Sequence, residues 1–240
     1  MKQSRNNLEM KLYSRLKFRI ATFTILSVIV AHGTLINAQQ SIGFGIHANP
    51  TVGWLSSDNS DITGEGARAG FNFGLTFNKY FTENYAFSTG ISLITAGGSL
   101  ADRDTSTLEL NRLITVLPGS KMIYNIKYLV IPIGLKLKSK QIGYVTIFTD
   151  LGLDPKFTIG GKVEIPSQNI PKEKAVGELK KVSLGYHIIG GIEYSLGGTT
   201  AIVLGINFDS NFTDITKENR NQRTDKIVHK LLGFHLGLNF

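Results

Sequence analysis

The stretch Arg68-Ala-Gly-Phe-Asn-Phe-Gly-Leu-Thr-Phe-Asn-Lys-Tyr-Phe81 decides the fold. In an extended chain Ala69, Phe71, Phe73, Leu75, Phe77 and Phe81 fall on one face, and Arg68, Gly70, Asn72, Gly74, Thr76 and Asn78 on the other. Successive side chains of a strand point to opposite faces, so a strand separates the two sets completely, whereas a helix scatters both around its axis. The preceding segment repeats the pattern. Ile42, Phe44, Ile46, Ala48, Pro50, Val52 and Trp54 alternate there with Gly43, Gly45, His47, Asn49, Thr51 and Gly53.

Six more segments of the same period follow, over 85–96, 123–138, 142–157, 182–196, 200–212 and 227–240. Each exceeds the about 9–11 residues with which a tilted strand crosses a bilayer. The connections alternate in length. Thr82-Glu-Asn84, Ser139-Lys-Gln141 and Gly197-Gly-Thr199 are short; 56–67, 97–122, 158–181 and 213–226 are long and polar. An even strand number, with tight turns at one end and long loops at the other, predicts an all-β fold: an eight-stranded antiparallel up-and-down transmembrane β-barrel in the outer membrane of a Gram-negative bacterium. The turns then face the periplasm and the loops the exterior. Aromatic residues fall where the interfaces would be, with Phe81, Tyr85, Tyr194 and Phe240 at the inner rim and Trp54, Phe157, Tyr186 and Phe212 toward the outer one. A secreted sandwich or a lipocalin-like barrel is the soluble alternative. It would turn the apolar face inward, use strands of about 5–6 residues, and give no reason for the alternation of loop lengths.

The 240 residues include 26 glycines, 6 prolines and no cysteine. This excludes a disulfide framework, a cysteine-ligated metal, a thiol nucleophile and a lipidated N-terminal cysteine. The net charge of +8 suggests a polyanion partner until it is located. Lys2, Arg5, Lys11, Arg15, Lys17 and Arg19 stand against Glu9 alone within residues 1–38, so that segment carries +5 and only +3 remains for the rest. No basic domain for nucleic acid is left. The basic segment leads into the apolar run Ile20-Ala-Thr-Phe-Thr-Ile-Leu-Ser-Val-Ile-Val-Ala31 and the small-residue exit Ile36-Asn37-Ala38. A positive start, a short apolar run and a small residue describe a secretory signal peptide over 1–38, leaving 39–240 as the barrel. A permanent helical anchor needs nearer 18–20 apolar residues. The chain ends on the last segment, so no appended periplasmic domain is expected.

With the apolar face outward, the opposite face lines the interior. Besides glycines it carries Arg68, Lys136, Lys138, Asp150, Asp154, Lys156 and Glu193, with His47, His187, His229 and His235. An eight-stranded barrel is just wide enough to be filled by its own side chains, so a diffusion pore is not expected. Enclosed charges are costly unless paired, which makes a structural network of Arg68, Lys136, Asp150, Asp154 and Glu193 the expected arrangement. Lys136 with Asp150 or Asp154 on the next segment is the pairing that strand adjacency suggests. A catalytic or ion-conducting cluster is the alternative.

Enzymatic readings find little support. Lipid A modification would need a serine–histidine arrangement or its equivalent open to lipid, and all four strand histidines share the lumenal parity. Ser183, His187 and Glu193 share one parity as well, but six residues of strand span about 20 Å, too far for a local triad. No cofactor and no metal site is implied. Lys127 and Lys230 fall on the lipid face near the outer rim, where lipopolysaccharide phosphates would meet them; snorkelling to the interface is the alternative. The terminal Gly237-Leu238-Asn239-Phe240 fits recognition by the barrel-insertion machinery.

The segment Tyr128-Leu-Val-Ile-Pro-Ile-Gly-Leu-Lys136 resembles the PorT-like outer-membrane β-barrel family of the Bacteroidota, and Gly185-Tyr-His-Ile-Ile-Gly-Gly-Ile-Glu-Tyr-Ser-Leu-Gly-Gly198 is similar to that family's penultimate hairpin. Val130 stands where the family commonly has glutamate, so no role of that carboxylate carries over. The resemblance implies a small barrel without catalysis, and its namesake takes part in type IX protein secretion. The functional expectation is therefore a structural or assembly component of the outer membrane, an accessory of type IX secretion with secretion-complex proteins as partners. A surface adhesin or ligand-binding barrel is the first alternative and a lipid A-modifying enzyme the second.

Overall fold

The computed structural model describes residues 42–110, 113–175, 177–217 and 226–240, so the expected signal peptide over 1–38 lies outside the described residues. Twelve strands are described: β1 (Ile42–Ser57), β2 (Ile62–Tyr80), β3 (Tyr85–Asp102), β4 (Ser106–Glu109), β5 (Leu113–Val116), β6 (Lys121–Val130), β7 (Ile133–Lys138), β8 (Val145–Ile165), β9 (Ile170–Lys174), β10 (Val182–Gly197), β11 (Thr200–Asn211) and β12 (Ile227–Asn239). They build an antiparallel ring of eight walls. The order is β1, β2, β3, then β6 with β7, then β8, β10, β11 and β12, and β12 returns to β1 from Gly45↔Asn239 to Ser57↔Ile227. Closure leaves no strand edge, the condition under which strands can stand in hydrocarbon. Phe240 completes the seam: its N–H donates to the Phe44 carbonyl at 2.7 Å and its own carbonyl accepts from Phe44 at 3.2 Å.

Two prolines mark where the walls depart from regularity. The fourth wall is interrupted between β6 and β7 at Ile131–Pro132, because proline has no N–H to give the ladder. The register does not slip across the gap: Ser92↔Val130 above it and Thr89↔Ile133 below it belong to one alignment. In β1, Pro50 lies where the pairing with β12 lapses between His47↔Gly237 and Thr51↔Gly233, and the Asn49 side-chain carbonyl accepts the Leu236 N–H at 3.1 Å.

The outside of the ring is apolar. Phe44 (58% exposed), Phe73 (50%), Leu93 (52%) and Phe234 (65%) sit on different walls of one belt. A water-soluble protein does not leave so continuous an apolar surface bare, and lipid is the solvent that suits it. Paired aromatics edge the belt, with Phe81 stacked on Tyr85 and Tyr144 beside Tyr194 at the turn end, and Tyr186 against Phe212 at 4.8 Å at the loop end. The tightest turn, after β10, uses Gly197 (φ 108°) and Gly198 (φ 61°), a conformation that side chains with a Cβ rarely adopt.

Three of the long connections contain more strand than the sequence suggests. The expected loop 56–67 shrinks to the residues between β1 and β2, because both strands continue beyond the belt. Within 97–122, β3 runs on to Asp102, β4 and β5 form a separate hairpin, and β6 begins at Lys121. Within 158–181, β8 extends to Ile165, a 3-10 turn spans Pro166–Gln168, and β9 folds back onto β8. These stretches form a crown of sheet in water. They lack the lipid-facing alternation by which the membrane segments are read, and so look like loops.

The interior has two layers. Polar and charged groups fill the half nearer the turns. Toward the loops lies an apolar core that includes Leu55, Ile94, Leu100, Tyr124, Ile126 and Tyr128, roofed by Val163, Ile165, Leu179 and Ile215 from the crown.

Candidate functional site

The enclosed polar layer is a stack of three linked groups. At the turn end the Lys136 ammonium donates to Glu193 Oε1 at 2.6 Å, Lys138 meets Glu193 Oε2 at 2.6 Å, and Asn239 Nδ2 donates to Oε1 at 2.8 Å. Lys138 is the most open of these, at the mouth. In the middle, His187 lies between two carboxylates, with Nδ1 2.7 Å from Asp154 Oδ1 and Nε2 3.5 Å from Asp150 Oδ1. Each ring nitrogen thus has an acceptor. At the top, beneath the apolar core, the wholly buried Lys156 ammonium pairs with Asp209 and donates to Asn211 Oδ1 at 2.9 Å, and Asn211 in turn donates to Ser183 Oγ at 3.0 Å. Short, charge-assisted contacts of this kind hold ions in a low-dielectric interior, and a missing partner is costly there.

Glycines make the room. A Cβ on Gly152 would come within 2.5 Å of the His187 ring and 2.6 Å of the Ile133 carbonyl. A Cβ on Gly74 would meet Ser92 Oγ at 2.4 Å and the His47 ring at 2.7 Å. The bulky imidazoles therefore stand opposite residues without side chains. Beside the stack is a space of about 80 Å³, bordered by His47, Asp150, His187 and His235, which suits a few water molecules and is far too small for a channel.

The predicted site residues are therefore only partly together. Lys136, Asp150, Asp154 and Glu193 lie in one stack, but the pairing suggested by adjacency is corrected. Lys136 is in register with Asp150, yet its ammonium goes to Glu193 on β10, because His187 already occupies both aspartates. Arg68 stands apart. It is level with Gly53 near the crown, its side chain lies against Gly97, and among the described residues it makes no ion pair. The position is one of lumenal parity but several residues above the polar layer, a distinction of height that face alternation does not carry. Lys127 is exposed on the outer face of β6 and Lys230 half-buried on the outer face of β12; these strands belong to opposite walls, so the two lysines form no common patch.

All four strand histidines point inward. His47 Nε2 is 3.2 Å from Ser92 Oγ, and the ring's hydrogen-bond partners are Ser92, Asn72 and Thr76, none of them a carboxylate. Ser183 is taken by Asn211. No group of three histidine, aspartate or glutamate side chains among the described residues is placed to hold a metal ion. Sequence reasoning missed Asp209 and Asn211, although Asp209 is the polar residue opposite the alternating Ile202, Leu204, Ile206 and Phe208. It also missed the inner apolar core, whose signal was present: the inward face of β6 reads Met122, Tyr124, Ile126, Tyr128 and Val130, apolar where the lower lumen is polar.

Residues 37–226 match the family described as outer membrane protein beta-barrel domain. No curated protein sequence matches. Among solved structures the chain is similar to Neisserial surface protein A, with 12% identity, a TM-score of 0.45, and coverage of 82% of this chain and 95% of that one. It is also similar to OprG from Pseudomonas aeruginosa, with 16% identity, a TM-score of 0.41, and 85% and 97% coverage. The attachment invasion locus protein Ail of Yersinia pestis has 12% identity, a TM-score of 0.37, and 85% and 100% coverage.

Proposed function

Because the chain belongs to the outer membrane protein beta-barrel domain family and resides in the outer membrane, we propose that it works there as a non-catalytic, non-conducting barrel with a structural or assembly role. One observation carries this reading: linked ion pairs below and an apolar core above take up the interior, and the space left beside the stack is only about 80 Å³. Reconstituted into planar lipid bilayers, the protein is expected to give no steady conductance. Open-channel currents would overturn the closed-barrel reading. The enclosure of the histidines, with no carboxylate behind His47, supports the absence of catalysis. Lipid A of unchanged mass in a strain lacking the gene is the expected result, and an altered lipid A would sink it.

The finer role as an accessory of type IX protein secretion is supported by the similarity of Tyr128–Lys136 to the PorT-like family. Its test is the secreted and surface proteome of a deletion strain, where loss of type IX cargo is expected and an unchanged cargo profile would refute the role. Adhesion or ligand binding at the cell surface is the second reading, and the crown favours it: β2, β3 and β8 span 19, 18 and 21 residues, well beyond the about 9–11 that cross a bilayer, and so hold a stiff platform in water. Lipopolysaccharide contact through Lys127 and Lys230 and recognition of Phe240 by the barrel-insertion machinery complete the proposed partners. Exposure of Lys127 and of the Phe240 ring supports them.

A further inference from the structure

The outer wall formed by β6, β8 and β9 changes character just above the lipid belt. Its apolar face reaches Leu129 on β6 and then Phe157 (37% exposed) and Ile159 (57%) on β8. Ile159 is an extra residue in the ladder, because Lys127 pairs with Gly160 and Tyr128 with Thr158, and a bulge of this kind re-aims a side chain. The next positions on the same face are basic. Lys127 is level with Gly160, Asn125 pairs with Lys162, and Lys162 pairs with Lys174. All three lysines are exposed. A Cβ on Gly160 would lie 3.9 Å from Lys127 Cδ, so the Lys127 stem leans over β8, the strand that carries Lys162.

Two features set these lysines apart from an ordinary solvated surface. Lys162 and Lys174 stand directly opposite each other, where like charges destabilise a strand pair. Yet none of the three makes an ion pair or a side-chain hydrogen bond among the described residues, whereas in the same crown Lys180 has Asp214 at 2.8 Å and Lys121 donates to the Glu65 carbonyl at 2.9 Å. Glu164, the carboxylate on this stretch of β8, goes to Lys172 at 3.9 Å. Lysines on an edge strand guard against stray pairing, which suffices for Lys174 on β9. It does not account for Lys127 and Lys162, whose strands are paired on both sides at those positions.

We propose that this wall holds a phosphate of an outer-leaflet glycolipid: the Lys127, Lys162 and Lys174 ammonium groups donate to the phosphate, and the acyl chains lie against Phe157 and Ile159. The inference rests on the lipopolysaccharide contact proposed above and deepens it, giving Lys127 partners on its own side of the barrel. The heights agree. Lys162 is two residues beyond Gly160, ~7 Å along a tilted strand at ~3.3 Å per residue. The headgroup layer is about 5–7 Å deep on each side of the hydrocarbon. A soluble polyanion would meet the same charges but has no use for the adjoining apolar face, which favours a lipid.

The refolded protein in neutral detergent micelles is titrated with diphosphorylated lipid A and with the same lipid A after enzymatic removal of its phosphates, and bound lipid is counted by native mass spectrometry. Saturable binding of the phosphorylated form is expected, at least about tenfold tighter than that of the dephosphorylated form and weakened by salt. The triple substitution Lys127→Gln, Lys162→Gln, Lys174→Gln should reduce that affinity at least about tenfold, since each lysine near an anionic surface is worth about fivefold. The charge-matched control Lys79→Gln, Lys140→Gln, Lys226→Gln, at three exposed lysines away from this wall, should change it by less than about twofold. Slower gel migration after boiling, in both variants as in the parent, verifies that the barrel still folds. The proposal is overturned if the two triple variants lose affinity equally, or if heparin, added as a soluble polyanion, is held by Lys127, Lys162 and Lys174 more tightly than lipid A. Loss of affinity in Lys230→Gln with the crown triple variant unaffected would overturn this site and leave the lipopolysaccharide contact standing. Equal binding of the phosphorylated and dephosphorylated forms would remove both, and no outcome bears on the closed barrel.

Discussion

The Lys136 ammonium passes over Asp150, its register partner on the neighbouring strand, and meets Glu193 two walls away at 2.6 Å. The contact is a brace across the lumen. It links walls that share no backbone hydrogen bonds, and Lys138 on the same strand doubles it at 2.6 Å.

The two ends of that brace are unequal. Glu193→Gln leaves two enclosed ammonium groups facing an amide and is expected to destabilise the barrel by about 3–5 kcal/mol, whereas Lys136→Met leaves Glu193 its second lysine and should cost clearly less. Urea unfolding of the refolded protein, followed by tryptophan fluorescence, checks the order. Equal midpoints for the two variants would contradict it.

Lys156 and Asp209 are the most deeply enclosed pair. Removing either partner should cost about 3–5 kcal/mol, but the double substitution Lys156→Met with Asp209→Leu should cost much less than the sum, because neither charge is then left uncompensated. A double-mutant cycle in the same unfolding assay measures the coupling. Additive effects would show that the two do not act as a pair.

Gly152→Ala forces a methyl against the His187 ring and the Ile133 carbonyl, and is expected to destabilise by about 1–3 kcal/mol through overpacking. Gly190→Ala, whose Cβ meets nothing within 4 Å, should stay within about 0.5 kcal/mol of the parent. The pair separates the need for space from any general cost of altering a strand glycine.

Tyr128 is 1% exposed and joins the two layers, with the His229 ring 5.9 Å away and the Lys156 ammonium 5.9 Å from its own ring. Tyr128→Ala should cost about 3–5 kcal/mol, as expected for a buried aromatic truncation. Tyr128→Phe should cost far less, since the hydroxyl makes no hydrogen bond among the described residues. Comparable losses in the two variants would assign the phenol a polar role instead.

Much of this architecture is legible in the chain because lipid imposes a rule that depends on local sequence alone. Every second residue from Ala69 to Phe77 suits hydrocarbon, and a similar run marks each wall, so eight walls can be read one after another. The rule lapses where lipid ends. Ser56 to Ala67 reads as a loop because a strand in water may be polar on both sides, and β4, β5 and β9 are invisible for the same reason. Lumenal parity was correct for Lys136, Asp150, Asp154, Glu193 and the histidines, yet it could not tell Arg68, high in the barrel, from residues in the polar layer.

Sequence alone determined the closed ring of alternating walls, its even strand number and the inward side of each strand, since those follow from a two-residue period and from the demand that backbone groups in lipid be paired. Tertiary structure alone decided which enclosed charge meets which, and that Tyr124, Ile126 and Tyr128 cap the lumen with an apolar core. Those outcomes depend on how far along the barrel axis residues from distant strands come level, and strand tilt, bulges and register set that height together only when all eight walls close.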